Sequence, residues 1–282
     1  MTRARRRLAI RIAIYAAVVG LALVVIARAD LRYRWAWGLF FDRWAHLLLE
    51  GLVLTVEVSL VSMLLALPLG VVIGLCRTAH DPGARLLGFG FVEVFRGTPL
   101  LVQVMIWYHV LAGPMGLEGP GAWLVAALGP INRALGVSHA VQPTTIAAAV
   151  AALACFAASY IAEIVRAGVQ SIDRGQMEAA RSLGLTHYQA MRHVILPQAL
   201  RRILPPLASE FIALVKDSSL ASVIGLQELT MATRDVQAGA YMTFEPWLVT
   251  AALYLGINVL LSLGVRRLEK RLGVARRGEA IQ

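Results

Sequence analysis

The chain has 282 residues, 58% of them hydrophobic and only 16% charged, with a mean hydropathy of +0.67. Soluble domains carry about a quarter charged residues, so a soluble fold is excluded. The formal charge of +10 comes from 27 Lys and Arg against 17 Asp and Glu, yet these cations flank apolar runs instead of interleaving with aromatics on a polar face, which excludes a nucleic-acid partner and marks membrane orientation.

A helix needs about 20 apolar residues to cross the hydrocarbon core, and six segments come near that length, predicting an all-α integral membrane protein with about six transmembrane helices. The first, 12–27, is uncharged between Arg11 and Arg28. Its basic start and the small residues around Arg28 also fit a cleaved signal peptide, but its apolar core exceeds the usual ~7–15 residues, and a retained helix is the preferred reading. The next spans are 51–76, with Glu57 as its one acid, and 97–117, entered through the polar run Phe95-Arg96-Gly97-Thr98-Pro99. Residues 134–162 are uncharged, with the helix starting near Thr144 after Pro143. Residues 203–227 are interrupted by Pro205, Pro206, Glu210, Lys216 and Asp217, and 246–265 are clean.

With the N-terminus inside, residues 1–8, 77–90, 166–202 and 266–282 share the cytoplasmic side and hold most of the arginines. Segment 28–43 departs from the positive-inside bias, offset by Asp30 and Asp42 and by the interfacial aromatics Tyr33, Trp35 and Trp37. In the external loop 112–143 the apolar patch 123–128 leaves open a short interfacial helix or an unstructured loop. Cys76 and Cys155 both lie in apolar stretches and cannot build a disulfide framework or a Cys-rich metal site.

Residues 171–202 are too polar to span and too regular for a loose connection. Asp173 stands three residues before Gln176, the spacing of an N-cap and its reciprocal partner. This predicts a helix over about 175–183, ended by Gly184 in the left-handed conformation. Thr186 and Gln189 repeat the spacing and open a second short helix, expected to stop at Pro197. Glu178, Ala179 and Ala180 offer an acid and two small side chains, which suits docking of a second protein as well as an ordinary amphipathic loop helix.

Here a resemblance becomes specific. The run Glu178-Ala179-Ala180, three residues, Gly184, nine residues, Val194, one residue, Leu196-Pro197 resembles the EAA loop of ABC-importer permeases, with Val where that family usually has Ile. Residues 92–103, with Arg96, Gly97, Thr98 and Pro99, resemble the signature of polar amino-acid permeases, and residues 158–166, with Glu163 and Arg166, and 216–220, with Lys216 and Asp217, fit the same pattern. The family often has Asn where Ser209 stands and Thr where Ser218 stands. The resemblance covers about residues 47–272.

It implies a five-helix type I importer core over 44–272 plus one extra N-terminal helix in segment 1–43, a basic cytoplasmic tail at 273–282, and a coupling loop at 173–193 that docks on a cytoplasmic ABC ATPase dimer. The implied partners are a second permease subunit, same or homologous, an extracytoplasmic solute-binding protein and a small polar amino-acid substrate, with the whole in a bacterial inner membrane. An opine or ectoine is an alternative solute.

Charged groups at membrane depth face a bundle interior, because exposure to lipid costs at least ~2.5–3.5 kcal/mol. Glu57, Glu210, Lys216 and Asp217 are therefore candidate pathway residues, and the resemblance adds Ser209, which stands at a position of the family pattern. For Glu57 a structural hydrogen bond is equally open, and for Lys216 and Asp217 an outer-end pair or cap is preferred. Glu163 and Arg166, three apart on one helical face, predict an ion pair, and Arg96 with Gly97-Thr98-Pro99 predicts a shaped helix entrance.

The chain is not read as an enzyme. A phosphate-binding loop needs Gly before its Lys, whereas Lys216 and Lys270, the only lysines, follow Val215 and Glu269. No cofactor is expected on this chain, and ATP and Mg would be bound by the partner ATPase. A secondary transporter using Glu57 or Glu210 as proton carrier, or a membrane scaffold, are the alternatives from other classes.

Overall fold

A computed structural model describes residues 33–79, 81–112, 118–134 and 142–272. The chain divides into residues 1–37 and 38–282. In the first unit the interfacial aromatics pack on one another: Tyr33 meets Trp35 edge-on at 5.1 Å and Trp35 stacks on Trp37 at 5.7 Å. The expected helix 12–27 and the tail 273–282 lie outside the described residues.

The second unit is built from helices. Short α1 (Trp37–Arg43) leads into α2 (Ala45–Thr78). Then follow α3 (Pro82–Gly97), α4 (Leu100–Ala112), α5 (Glu118–Ala134) and α6 (Pro143–Gln170). The loop helices are α7 (Arg174–Ser182) and α8 (His187–Ala190), and a π turn (Met191–Ile195) joins α8 to α9 (Leu196–Asp217). A 3-10 segment (Ser218–Ile224), α10 (Leu229–Ala240) and α11 (Glu245–Leu272) complete the described chain.

Among the described residues, α2, α6 and the 245–267 part of α11 are long and apolar enough to cross a membrane, with a fourth span if α3 and α4 count as one broken crossing bent by 104°. The expected span at 97–117 is thus corrected. Thr98 precedes Pro99 and is held extended (φ −110°, ψ 140°), the conformation that the clash with the proline ring favours, and the helix breaks there. The stretch 77–90, expected as a loop, is mostly helical because Asp81 caps α3, its carboxylate accepting the Ala84 N–H at 2.6 Å, with Pro82 in the first turn. The expected span at 203–227 is not among these crossing helices: the helix there runs from Leu196 to Asp217 and a 3-10 segment follows it.

The core lies around α6, which packs against α2, α4, α9, α5 and α3 and is the most buried of the spans. Small residues allow this. A Cβ on Gly70 would sit 2.6 Å from Ile161 Cβ and 2.7 Å from the Ala158 carbonyl, and one on Gly74 would meet the Ala162 carbonyl at 2.8 Å. The two glycines, one turn apart on α2, let its backbone press against the alanine-rich face of α6, the small-residue packing that membrane helices use. Leu153, Ala157 and Ile161 are fully buried there.

The patch at 123–128 belongs to α5, which decides the open question of loop 112–143 in favour of a helix over 118–134.

Candidate coupling loop and membrane charge cluster

The loop at 171–202 forms from its caps. The Asp173 carboxylate accepts the Gly175 N–H at 2.7 Å and opens α7. The reciprocal bond expected from Gln176 is not made: Gln176 Oε1 instead accepts from Gln198 Nε2 at 3.3 Å, tying α7 to α9. Gly184 takes the left-handed conformation (φ +85°), and Thr186 and Gln189 form a complete capping box, with bonds of 3.3 and 2.9 Å. The second helix does not stop at Pro197. The π turn passes straight into α9, and Pro197, which lacks the N–H that would continue the ladder, is accommodated where the backbone changes from π to α geometry.

Exposure separates the small and apolar residues of this loop. Ala180 is only 4% exposed and packs inward, whereas Leu183 and Tyr188, on either side of Gly184, are 84% and 69% exposed. Glu178 and Ala179 are also exposed. Leu196 and Pro197 lie at the head of α9, where Pro197 is exposed and Leu196 half-buried. The exposure of Leu183 and Tyr188 was not legible in the sequence, since nothing in their spacing separates an exposed apolar residue from a buried one.

A second constellation gathers on Glu163 of α6. Arg166 grips its Oε2 with two nitrogens, at 3.0 and 2.7 Å, and donates to Gln170 at 2.6 Å. Arg77, at the end of α2, pairs with Oε1, and Arg96 of α3 stands 3.7 Å from the same oxygen. Arg96 also lies over the Tyr160 ring, 4.9 Å from its centroid. One carboxylate therefore joins α2, α3 and α6, and the expected Glu163–Arg166 pair is one arm of this larger cluster.

The corner next to it is held by Gln103. Its side-chain amide donates to the carbonyls of Phe95 at 2.7 Å and Thr98 at 3.1 Å, satisfying groups that the end of α3 leaves without helical partners. Gly97 has open space around it, and the Thr98 hydroxyl bonds back to Val94 at 2.8 Å.

The candidate pathway residues do not form one cluster. Glu57 is buried on α2, whereas Ser209 is exposed and Glu210 half-buried on α9. Ser209 donates to the Pro205 carbonyl at 3.2 Å. Lys216 is exposed and Asp217 half-buried. No ion pair joins these two among the described residues, since adjacent helix positions point in different directions. Lys216 lines a cavity of about 400 Å³ with Trp247, Thr250 and Tyr254.

Sequence reasoning missed Glu228, which has no exposed surface. It caps α10, accepting the Met231 N–H at 2.9 Å, and its Oε2 accepts the Tyr254 hydroxyl at 3.0 Å. Thr55 of α2 lies 3.4 Å from that oxygen and accepts the Leu229 N–H at 3.1 Å. Its one signal was an acid directly before an apolar helical start.

Among known families, the model described as "Binding-protein-dependent transport system inner membrane component" matches residues 66–274. The glutamine transport system permease protein of Escherichia coli K12 is 38% identical over 228 residues, 81% of this chain and 94% of that protein. The arginine transport system permease protein of Bacillus subtilis is 33% identical over 226 residues, 80% and 92% of the two chains. The crystal structure of an amino acid ABC transporter with histidines matches with a TM-score of 0.68 at 35% identity, covering 83% of this chain and 97% of that one. An inward-facing methionine ABC transporter matches with a TM-score of 0.61 at 21% identity, over 81% and 97%, a likeness of fold.

Proposed function

Since this chain belongs to the family of binding-protein-dependent transport system inner membrane components, we propose that it is the permease subunit of an ATP-driven importer for a polar amino acid. It pairs with a like or homologous subunit in a bacterial inner membrane and receives solute from an external binding protein. Glutamine and arginine are the first solutes to test, being named for its relatives. Residues 173–193 carry the coupling to a separate ATPase that binds ATP and Mg.

The observation that carries this reading is the apolar elbow: Leu183 and Tyr188 stand exposed beside Gly184 on an otherwise polar loop. Exposed apolar side chains in a polar frame suit a protein partner. ATP-driven closure of two ATPases would move both elbows together and switch the pathway between inward-open and outward-open. Glu57, Ser209, Glu210, Lys216 and Asp217 remain the proposed pathway groups.

Proteoliposomes holding this chain, its cognate ATPase and binding protein test the proposal through uptake of radiolabelled glutamine and arginine. Uptake that requires internal ATP is expected. Uptake without the ATPase, driven by a proton gradient, would overturn it in favour of a secondary transporter.

A further inference from the structure

α9 carries Leu196, Leu200, Ile203 and Leu207 at spacings that share one helix face. With Leu75 of α2 and Val165 of α6 they line a crevice of about 450 Å³. The one polar side chain lining it is Arg192, on the π turn. Burial gives the crevice a direction: Arg192, Pro197 and Leu200 are exposed, while Val165, Ile203 and Leu207 are buried. Its mouth is thus at the loop end of α9 and its floor lies towards the body of the bundle, where Ile203 rests on Gly168.

Arg192 has no carboxylate within ion-pair distance among the described residues. Arg201, exposed nearby in sequence, adds positive charge without a paired acid, while Arg202 donates to the Ser171 carbonyl. An apolar slot between spanning helices with a free guanidinium at its loop-side mouth has the polarity of a phospholipid, chain inward and phosphate outward. Basic pockets between membrane helices on the cytoplasmic side bind anionic headgroups. A soluble anion would leave the apolar floor unfilled. We infer that the crevice binds an anionic phospholipid, one acyl chain lying along the Leu196–Leu207 stripe and its phosphate paired with Arg192. This goes beyond the transport reading and is tested without measuring transport.

The full-length chain is reconstituted in phosphatidylcholine vesicles doped with diazirine-tailed phosphatidylglycerol or, separately, diazirine-tailed phosphatidylcholine, then irradiated and mapped by peptide mass spectrometry. Adducts over residues 196–207 are expected at least fivefold above the choline lipid. Arg192→Gln brings them down to the choline level, and Leu200→Trp, which fills an exposed part of the slot, lowers both lipids. Far-UV circular dichroism checks that each variant is folded, and a variant that fails is replaced by Arg192→Lys, expected to keep most labelling. Equal labelling by the two lipids, indifference to Arg192→Gln, or an unlabelled crevice sealed by a second copy or the ATPase overturns the inference.

Discussion

Tyr254 donates its hydroxyl to the buried Oε2 of Glu228 at 3.0 Å, fastening α11 to the head of α10. Met231 and, through Thr55, α2 close the same knot. A buried donor stripped of its acceptor costs about 1–3 kcal/mol. Glu228→Ala strands the Met231 N–H and leaves the Tyr254 hydroxyl with only the Thr230 hydroxyl, 3.3 Å away, and is expected to destabilise the protein by about 2–3 kcal/mol. Tyr254→Phe, which removes one donor and leaves the cap, is expected to cost about 1 kcal/mol. Thermal unfolding in detergent, followed by tryptophan fluorescence, ranks the two.

Glu228 lies between spanning segments, and burial pushes its pKa up to about 7 from 4.5, against the pull of its hydrogen bonds. The folded state therefore binds the proton more tightly than the unfolded chain, so this group's contribution to stability is full below pH 4.5 and is lost as pH rises through about 7. Melting temperature is expected to fall between those limits, and Glu228→Gln to flatten that fall. An unchanged pH profile in the variant would refute the assignment.

Glu163 is the carboxylate within 4 Å of Arg77, Arg96 and Arg166. Glu163→Gln leaves these cations facing one another and is expected to cost about 3 kcal/mol, the range for breaking a buried pair. The partial exposure of Arg96 and Arg166 places the value at the low end. Adding Arg166→Gln is expected to recover part of the loss, giving a coupling energy of about 0.5–3 kcal/mol in a double-mutant cycle.

Gly70 has no room for a side chain, whereas Gly90 has nothing within 4 Å. Gly70→Val forces α2 and α6 apart and is expected to cost about 1–3 kcal/mol. Gly90→Ala, in α3, is expected to be neutral or to stabilise by up to ~1 kcal/mol through helix propensity. Yield of monodisperse protein and its melting temperature separate the two.

If Leu183 and Tyr188 meet the ATPase, charge there must abolish the contact. Leu183→Asp with Tyr188→Asp is expected to lower ATPase recovery in co-purification at least tenfold while leaving the melting temperature of the isolated permease unchanged, since both side chains are exposed. Undiminished recovery would remove the elbow from the interface.

The apolar runs and the cap chemistry were readable in the sequence: α2, α6 and α11 lie where continuous apolar stretches demand them, and Thr186–Gln189 closed as its spacing implied. What escaped depends on three dimensions. The sharp turn at Thr98 needed the α3 cap to be weighed together with the residue before Pro99, because residues 77–90 were read as a connection ahead of a span starting at 97. Arg77 looked like an orientation marker, yet its reach across to Glu163 follows from where Gly70 and Gly74 let α2 settle on α6. Glu228 was hidden for a similar reason, its partners Thr55 and Tyr254 being far away in the chain. The burial of Ala180 beside exposed Leu183 depends on which side of α7 faces the bundle.

From His187 to Ile224 the backbone is helical without interruption, through α8, the π turn, α9 and the 3-10 segment. The described glycines with positive φ, Gly184 (+85°) and Gly225 (+81°), stand just outside its two ends. The run links the exposed Tyr188 to Glu210 and Lys216 through one unbroken stretch of helical backbone, and within it the π turn and the prolines Pro197, Pro205 and Pro206 are the places where the hydrogen-bond ladder is interrupted and a bend would fall.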